Sequence, residues 1–348
     1  MKFNWKDFSY KLNHLEYWST RAVYLPLSPF WVFYSIKAQS LFFFEKTNPA
    51  MPFGGMAMTP KSVIYDLLPD EYIPQTALIL EGEDPIEKVK SLGLLYPIIA
   101  KPNQGLKGLG VETISTEGEL INYGQKFNLP FLIQEKIPYS NEVGIFYCRF
   151  PKAEKGFITG VVQKNFMKIH GDGNHTLEQL IQANPRFNFQ IERLRNLWKE
   201  RWGEVIPKGE EITLLEVGSH TRGAEFINIS HLVDEKLTSK IEEIAKRIPG
   251  FYYGRFDVLY KDFESLKNGE DFKIIELNGA MSEPTHMYDP ANSLWNAWKE
   301  ILKHWDIMAK IAVQNRGIPI RKTSFRKGLG LFFENLNLEK LLKKQLLN

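Results

Sequence analysis

The stretch that most constrains the fold of this chain is Phe251 to Asp289, which holds two strand-like runs separated by a polar segment. The runs are Gly254 to Tyr260 and Phe272 to Leu277, and residues 261–271 lie between them. Alternate residues of a strand share one face, so pairing of the runs would gather the polar side chains of both strands at one place. The sequence therefore predicts an antiparallel hairpin with a polar face.

The polar side chains of this hairpin are oxygen ligands. Asp257 lies on the first run, and Glu276 and Asn278 lie at the end of the second. Carboxylate and carbonyl oxygens are the ligands that Mg²⁺ takes when it also holds substrate phosphates. An ordinary amphipathic hairpin with solvated acids fits the same residues, because oxygen ligands have no strict spacing. Both interpretations stay open on this stretch alone.

The composition is that of an ordinary globular protein. The chain has 348 residues, enough for two or three domains, with 43% hydrophobic and 24% charged residues. A net charge of +3 gives no support to nucleic-acid binding. The single cysteine, Cys148, excludes an internal disulfide and a cysteine-based zinc cluster, and it fits a reducing cytoplasm.

The N-terminal region differs from the rest of the chain. Its most apolar stretch, Val23 to Phe44, is interrupted by two prolines, a lysine and a glutamine, whereas a spanning helix needs about 20 predominantly apolar residues. We therefore expect no membrane crossing, and no signal peptide is evident. Aromatic and basic residues are mixed through the first 44 positions. This mixture fits helices packed on the main body or contact with a bilayer interface, and both stay open.

A lysine and a glycine-rich loop follow a short apolar strand. The strand Tyr96 to Ala100 leads into Lys101, and Gly105 and Gly108 follow before a strand at Val111 to Ile114. Free backbone N–H groups and an ammonium suit phosphate oxygens. The loop is not a P-loop, because its lysine precedes the glycines. A plain hairpin turn is the alternative.

In a second strand–loop–strand segment, an acidic residue lies on each side of the loop. The strand Phe131 to Lys136 includes Glu135 and is followed by Ile137, and Glu142 begins the next strand. Backbone groups here could meet the flat edge of a purine while Glu142 accepts ribose hydroxyls. A solvated acid in a hairpin is the other interpretation of Glu142.

Taken in chain order, these features resemble a known family. The features are Lys101 with its glycine loop, the segment Gln134 to Ile137, Glu142, the segment Gly254 to Asp257 and the segment Glu276 to Asn278. The set resembles the ATP-grasp ligases over residues 74–289. The Gly-Asp-Gly segment within His170 to Ile181 looks like that of the cyanophycin synthetase type, and the acid-and-asparagine pattern is shared with D-alanine:D-alanine ligase.

The resemblance implies an α+β protein with the ATP-grasp fold, in which two α/β subdomains clamp ATP. We predict an aromatic-rich helical N-terminal region at 1–73, an ATP-grasp domain at 74–289 with a lid-like subdomain at about 95–150, and a C-terminal helical region at 290–348. ATP-grasp ligases usually carry a full α/β domain ahead of the nucleotide domain, so the short N-terminal region puts inherited acceptor specificity in doubt.

The resemblance also implies roles for individual residues. Those assigned to the nucleotide are Lys101, Gly105, Gly108 and Lys164 (phosphates, with Lys168 competing for the role of Lys164), Glu135, Lys136 and Ile137 (adenine), and Glu142 (ribose). Asp257, Glu276 and Asn278 would hold one or two Mg²⁺ ions. Arg255 would stabilise the transferred phosphoryl group, and a structural ion pair with Asp257 or Glu276 is its alternative.

Substrate recognition is expected in segments that depart from the family. His220 and Arg222 are candidates for holding a substrate carboxylate, with general base catalysis a further role for His220, and a polar turn is the alternative. Glu283 and His286 are candidates for recognising an amine.

The implied reaction has two steps. A substrate carboxylate attacks the γ-phosphate of ATP to give an acyl phosphate, and an amine then displaces phosphate to form an amide or peptide-like bond. No Ser-His-Asp or Cys-His arrangement is evident in the sequence, and neither step needs one. We expect a cytoplasmic Mg²⁺- and ATP-dependent ligase acting on small molecules, with peripheral contact at the inner face of the membrane left open. The alternatives are a phosphotransferase on the same fold and a non-catalytic, membrane-associated nucleotide-binding module.

Overall fold

The computed structural model describes residues 5–57, 59–105, 108–127, 129–215, 223–319 and 323–347. Within these ranges the chain forms two larger antiparallel sheets, a two-stranded sheet and helices on both sides. The predicted α+β class is confirmed. The helices are α1 (Trp5–Asn13), α2 (Thr20–Tyr24), α3 (Ser28–Ala38), α4 (Lys61–Tyr65), α5 (Pro85–Leu92), α6 (Glu117–Phe127), α7 (Leu177–Ala183), α8 (Pro185–Asn188), α9 (Ile191–Leu197), α10 (Glu235–Lys246), α11 (Phe263–Asn268), α12 (Leu294–Gln314) and α13 (Phe325–Leu347).

The first sheet has four strands in the order β1-β4-β2-β3. The strands are β1 (Thr76–Ile79), β2 (Ile98–Pro102), β3 (Glu112–Ile114) and β4 (Phe131–Glu135). Helices α5 and α6 cover this sheet and bury a core around Ile98 and Phe127. Helix α5 begins where the Asp84 carboxylate accepts a hydrogen bond from the Ile86 amide, and it ends at Gly93 in the left-handed conformation.

The second sheet has five strands in the order β11-β10-β5-β6-β9. The strands are β5 (Asn141–Cys148), β6 (Phe157–Asn165), β9 (Glu225–Asn228), β10 (Tyr253–Tyr260) and β11 (Phe272–Asn278). Strand β5 lies at the centre and is buried from position 142 to its end. It belongs to the five-stranded sheet, although our prediction included it in the lid-like subdomain. The segment 136–140 is therefore the connection between the two larger sheets.

A smaller unit contains the Gly-Asp-Gly segment. Strands β7 (Met167–His170) and β8 (Glu211–Leu215) pair with each other and share a core with α7 and α9. Helix α7 begins with a capping box in which Thr176 and Gln179 exchange hydrogen bonds. The Asp172 carboxylate accepts hydrogen bonds from the Asn174 and His175 amides, so it stabilises its own turn.

The aromatic N-terminal region packs against the main body. Its rings form a cluster with helix α12, in which Trp31 contacts Phe43 and Trp305 at centroid distances of 4.6 and 4.9 Å. The buried Asn48 side chain also accepts one hydrogen bond from the Tyr253 amide and donates another to the Tyr253 carbonyl oxygen. This region is therefore fixed directly to β10. Among the described residues, no helix combines the length and the apolar composition that a membrane crossing requires.

The C-terminal helix α13 bridges the N-terminal region and the four-stranded sheet. Phe332 packs against Phe53 of the N-terminal region, with ring centroids 5.8 Å apart. Further along the helix, Leu342 is fully buried in the core of the four-stranded sheet. These contacts show that α13 packs on both the N-terminal region and this sheet.

Candidate active site

One large cavity of about 1320 Å³ lies between the two larger sheets and the terminal regions. Every residue predicted to bind the nucleotide or the metal, or to stabilise the phosphoryl group, lines it. They are Lys101, Gly105, Gly108, Glu135, Lys136, Ile137, Glu142, Lys164, Arg255, Asp257, Glu276 and Asn278. His220 and Arg222 lie outside the described residues. The structure thus brings together side chains that are up to 177 positions apart, from Lys101 to Asn278.

The hairpin β10–β11 forms one wall of the cavity. Asp257 is the register partner of Glu276, and Arg255 is the partner of Asn278. These four side chains therefore face the cavity from neighbouring strands, as the alternation in sequence predicts. The segment that we expected to be a polar loop contains α11, which begins at the cap residue Asp262.

Asp257 is buried among cations. Its carboxylate receives two hydrogen bonds from Arg255, at 2.6 Å from Nε and 3.0 Å from Nη2, and Lys164 Nζ lies 3.2 Å away. Burial alone would raise the pKa of Asp257, but the charges of Arg255 and Lys164 outweigh burial and lower the pKa to about 2. Asp257 is therefore ionised at neutral pH. The ion pair of Arg255 that we considered as an alternative is present in this structure.

Gly144 on β5 makes room for this ion pair. Gly144 is the register partner of Asp257. A Cβ atom on Gly144 would lie 3.1 Å from Cδ of Arg255 and 3.3 Å from Oδ1 of Asp257. A side chain at this position would crowd the pair from the next strand. Gly144 was not among the predicted site residues.

Lys164 and Glu142 form a second buried pair beside Asp257. The two residues are register partners on β6 and β5, and Lys164 Nζ donates a hydrogen bond to Glu142 Oε1. Burial raises the pKa of Glu142, whereas Asp257 and Glu142 together raise the pKa of Lys164 against the effect of burial. The competing candidate, Lys168, is half-exposed and pairs with Glu211 at 2.7 Å. The geometry favours Lys164 over Lys168 as the cation beside the acids.

Lys101 projects from β2 into the cavity wall and is only 6% exposed. Its Nζ lies 2.7 Å from Tyr65 Oη and 2.8 Å from Gln134 Oε1. Among the described residues, no carboxylate forms an ion pair with Lys101. Burial lowers its pKa to about 8, although the charge of Glu276 acts in the opposite direction. A buried cation in this environment favours an anionic ligand.

Two further residues at this wall come from α4 and were not among the predicted site residues. Lys61 Nζ donates to the Gly105 carbonyl oxygen at 3.3 Å, and burial lowers its pKa. Tyr65, one helical turn later, donates to the Ile275 carbonyl oxygen and accepts from Lys101. Lys61 and Tyr65 have the i, i+4 spacing that places two side chains on one helix face, and this spacing was the available signal.

The predicted adenine segment lies where the chain passes from the four-stranded to the five-stranded sheet. Glu135 ends β4, and its carboxylate accepts a hydrogen bond from the Gln75 amide at 3.3 Å. Lys136 and Ile137 follow on the cavity wall, and Ile137 is buried. A flat ligand bound at this connection would therefore contact elements of both sheets.

Of the two residues proposed to recognise an amine, the structure brings one to the cavity. Glu283 lies on the wall and accepts hydrogen bonds from Tyr24 Oη and Tyr288 Oη, each at 2.8 Å. His286 is buried and bonded to Glu300 at 3.1 Å, and it is not among the residues that line the cavity. The expectation for His286 is therefore not supported by its position.

The donor set on the hairpin suits Mg²⁺ only together with a phosphate ligand. Among the described residues, no group of three or more His, Cys, Asp or Glu side chains is arranged to hold a metal ion. Asp257 and Glu276 supply two carboxylates and Asn278 a carbonyl oxygen from neighbouring register positions. Mg²⁺ commonly takes one or two carboxylates and completes its shell with substrate phosphates and water. These three side chains therefore fit a metal ion whose remaining ligands are phosphate oxygens and water.

Comparison with known proteins gives distant matches. No family model matches the chain. It is 23% identical over 228 residues to the glutathione biosynthesis bifunctional protein GshAB of Streptococcus agalactiae, a match that covers 60% of this chain and 30% of that protein. The chain thus spans less than a third of the length of this curated relative.

Solved structures with a likeness to the chain include two amino-acid ligases. The D-alanine–D-alanine ligase of Bacillus anthracis has 15% identity and a TM-score of 0.42, over 77% of this chain and 70% of that one. The VanG D-Ala:D-Ser ligase of Enterococcus faecalis has 13% identity and a TM-score of 0.42, over 76% and 64%. The chain resembles the ATP-grasp ligases.

Proposed function

We propose that the protein is a Mg²⁺- and ATP-dependent ligase that activates a carboxylate as an acyl phosphate and joins it to an amine, with release of ADP and phosphate. The observation that carries this proposal is that the buried Lys101, which has no carboxylate partner among the described residues, lines the same cavity as the ionised Asp257 and its register partner Glu276. Unmatched positive charge on one wall and oxygen ligands on the other suit a metal-bound polyphosphate.

Lys101 of the four-stranded sheet and Lys61 of α4 would hold the phosphates. Lys101 and Lys61 present two cations beside the backbone of Gly105. Both ammonium groups are partly desolvated, which strengthens their attraction for a phosphate oxygen. The connection at Lys136 and Ile137 would hold the base, since it is the part of the cavity wall that joins the two sheets.

The residues of the five-stranded sheet would carry the transfer. Asp257, Glu276 and Asn278 would hold Mg²⁺, whose role is to neutralise charge on the phosphates. Arg255 lies against Asp257 and donates from Nη1 to the Glu283 carbonyl oxygen at 3.5 Å, so its guanidinium points along the wall toward the 283–288 segment. It would stabilise the transferred phosphoryl group there. The sheet thereby orients a carboxylate for attack and excludes water from the acyl phosphate.

In the structure Glu142 is paired with Lys164. If Glu142 binds the ribose as the resemblance implies, it would do so while keeping this pair, because a carboxylate can accept about four hydrogen bonds. Lys164 would then act as a bridge between the ribose site and Asp257. Lys164 is buried between Glu142 and Asp257, and this position favours the linking role in addition to a direct contact with a phosphate.

The test separates the steps of the reaction. Binding of Mg²⁺-ATP is measured first by calorimetry for the wild-type protein, Lys101→Met and the matched control Lys126→Met, whose lysine pairs with Glu112 on the surface. The proposal expects binding by the wild type and the control only. Equal binding by Lys101→Met would remove Lys101 from the site.

Turnover is then followed as ADP release with pools of carboxylates and amines. ADP and phosphate release that requires both a carboxylate and an amine supports ligation. A stable phosphorylated product formed without an amine identifies the phosphotransferase instead. Binding of Mg²⁺-ATP without turnover in any pool would favour a nucleotide-binding module.

A further inference from the structure

The cavity continues beyond the residues proposed to hold the nucleotide. Its volume of about 1320 Å³ exceeds the roughly 300–1,000 Å³ of a site for one small molecule. The additional space is enclosed by the N-terminal region and α12. We call this part the aromatic chamber and define it by Val23, Tyr24, Trp31, Val32, Trp305 and Met308, all of which line the cavity.

The walls of the aromatic chamber are apolar. The Trp305 ring lies 4.9 Å from that of Trp31 in an edge-on arrangement and 6.2 Å from that of Tyr24 in a stacked one. Val23 and Met308 are buried, whereas Val32 is 55% exposed although it also lines the cavity. The chamber therefore offers an apolar path from the interior to solvent at Val32.

The inner end of the chamber carries a carboxylate. Glu283 is held between Tyr24, from the N-terminal region, and Tyr288, which donate to its two oxygens. Burial raises the pKa of both tyrosines well above 10, so both stay protonated donors at neutral pH. Each carboxylate oxygen has capacity for a further hydrogen bond. Glu283 is thus a fixed anion beside aromatic rings, which is an arrangement that suits an ammonium group.

The position of Glu283 links the chamber to the transfer residues. Its backbone carbonyl oxygen accepts from Arg255, which in turn binds Asp257. An ammonium at Glu283 would therefore lie at the border between the aromatic chamber and the proposed site of acyl phosphate formation. A longer apolar substituent on that ammonium would extend toward Trp31 and Val32.

We propose that the aromatic chamber binds the amine substrate and that this substrate carries an apolar tail. The ammonium lies at Glu283, and the tail lies along the cavity-facing sides of Trp31 and Trp305 with its end toward Val32. This assignment rests on the proposed function, because it takes the amine as the second reactant of a ligase. The N-terminal region would then select amines that carry an apolar tail.

The test uses simple amines as probes and calorimetry as the readout. Butylamine and octylamine differ by four CH₂ groups, and each buried CH₂ strengthens binding by about fourfold. Octylamine is expected to bind up to about two hundredfold more tightly than butylamine. It is also expected to bind more tightly than octanol and octanoate, because only the amine is attracted by Glu283. Equal affinity for all three eight-carbon probes would overturn the head-group assignment.

Three variants locate the binding. Glu283→Gln is expected to remove the preference for octylamine over octanol. Val32→Arg is expected to weaken octylamine binding at least tenfold by placing a bulky cation at the mouth. Ile36→Arg is the matched control, because Ile36 is 72% exposed on the same helix and does not line the cavity. An equal effect of Val32→Arg and Ile36→Arg would overturn the chamber assignment.

Binding of Mg²⁺-ATP to the same proteins separates the two proposals. Mg²⁺-ATP binding without any gain from butylamine to octylamine would overturn the chamber and leave the ligase proposal standing. The expected amine pattern without Mg²⁺-ATP binding would support the chamber as a binding site and refute the ligase.

Discussion

Replacement of Lys101 by methionine tests whether the cavity contains a buried positive charge without a counter-ion. Burial lowers the pKa of Lys101 from 10.5 to about 8. Because each pKa unit corresponds to about 1.36 kcal/mol, the charged side chain costs the folded state roughly 3 kcal/mol at pH 7. Methionine keeps a similar length and removes the charge. It also leaves Gln134 Oε1 without its lysine donor, at a cost of about 1–3 kcal/mol.

The pH dependence isolates the charge from the lost hydrogen bond. The pKa of Lys101 is lower in the folded than in the unfolded state, so the unfolded state binds more protons between pH 8 and pH 10.5. The wild-type free energy of unfolding therefore gains a contribution from Lys101 as the pH rises through this window. Lys101→Met lacks this gain, so its free energy of unfolding relative to wild type should fall by roughly 3 kcal/mol from pH 7 to pH 10.5.

Urea unfolding at pH 7, 8, 9 and 10 measures this difference, with Lys126→Met as the control. Lys126 is partly exposed and pairs with Glu112, so the control is expected to change stability by about 0–1 kcal/mol at every pH. At pH 7, Mg²⁺-ATP at 100 times its dissociation constant should stabilise the wild type by about 2.7 kcal/mol and leave Lys101→Met unchanged. A stability difference for Lys101→Met that is constant with pH would refute the buried, uncompensated charge.

Three further changes test the other wall. Asp257→Asn should abolish Mg²⁺-dependent ATP turnover with a native circular dichroism spectrum. The wild type should lose roughly 2 kcal/mol of stability as the pH falls from 5 toward 1, and the variant should lack this loss, because the pKa of Asp257 is lowered to about 2. Lys164→Met should reduce the free energy of unfolding by about 3–5 kcal/mol because it leaves the buried Glu142 carboxylate without its cation and Asp257 with Arg255 alone, whereas Lys168→Met should cost under about 1 kcal/mol. Gly144→Ala should cost about 1–3 kcal/mol and lower turnover, whereas Gly203→Ala, where an added Cβ has no neighbour within 4 Å, should change neither beyond about 0.5 kcal/mol. Equal effects of the paired substitutions would contradict the packing described above.

The hairpin could be predicted because its signal is local. The strand Tyr253–Tyr260 is observed within one residue of the predicted run, and its partner Phe272–Asn278 likewise. Alternation of apolar and polar residues determines which side chains share a face, so the convergence of Asp257 and Glu276 followed from the pattern. Helix α11 was missed, although Asp262 and Gly269 supply a cap at each end.

The electrostatic partners could not be predicted, because they depend on contacts between distant segments. The pairing of Glu142 with Lys164 follows from the register of β5 and β6, and the connection at 149–156 is too long for its turn residues to specify that register. The contact of Tyr65 with Lys101 joins a short helix to a strand 36 residues later. Such contacts are set by tertiary packing, about which local propensity carries no information.

The two walls of the cavity differ in how their charges are balanced, and this difference indicates the order of events at the site. On the five-stranded sheet, Arg255 and Lys164 are already neutralised by Asp257 and Glu142, so this wall is stable without a ligand. On the four-stranded sheet, Lys101 lacks a carboxylate partner among the described residues and is held only by neutral groups. Because an anion is stabilised most where positive charge is unmatched, phosphate should bind first to the wall of Lys101. Because Lys101 Nζ lies 3.5 Å from the Ile275 carbonyl oxygen on β11, phosphates bound there would lie near Glu276, so metal binding should depend on nucleotide. Calorimetric titration with Mg²⁺ alone and with Mg²⁺ plus ATP tests this dependence, and tight Mg²⁺ binding in the absence of nucleotide would contradict it.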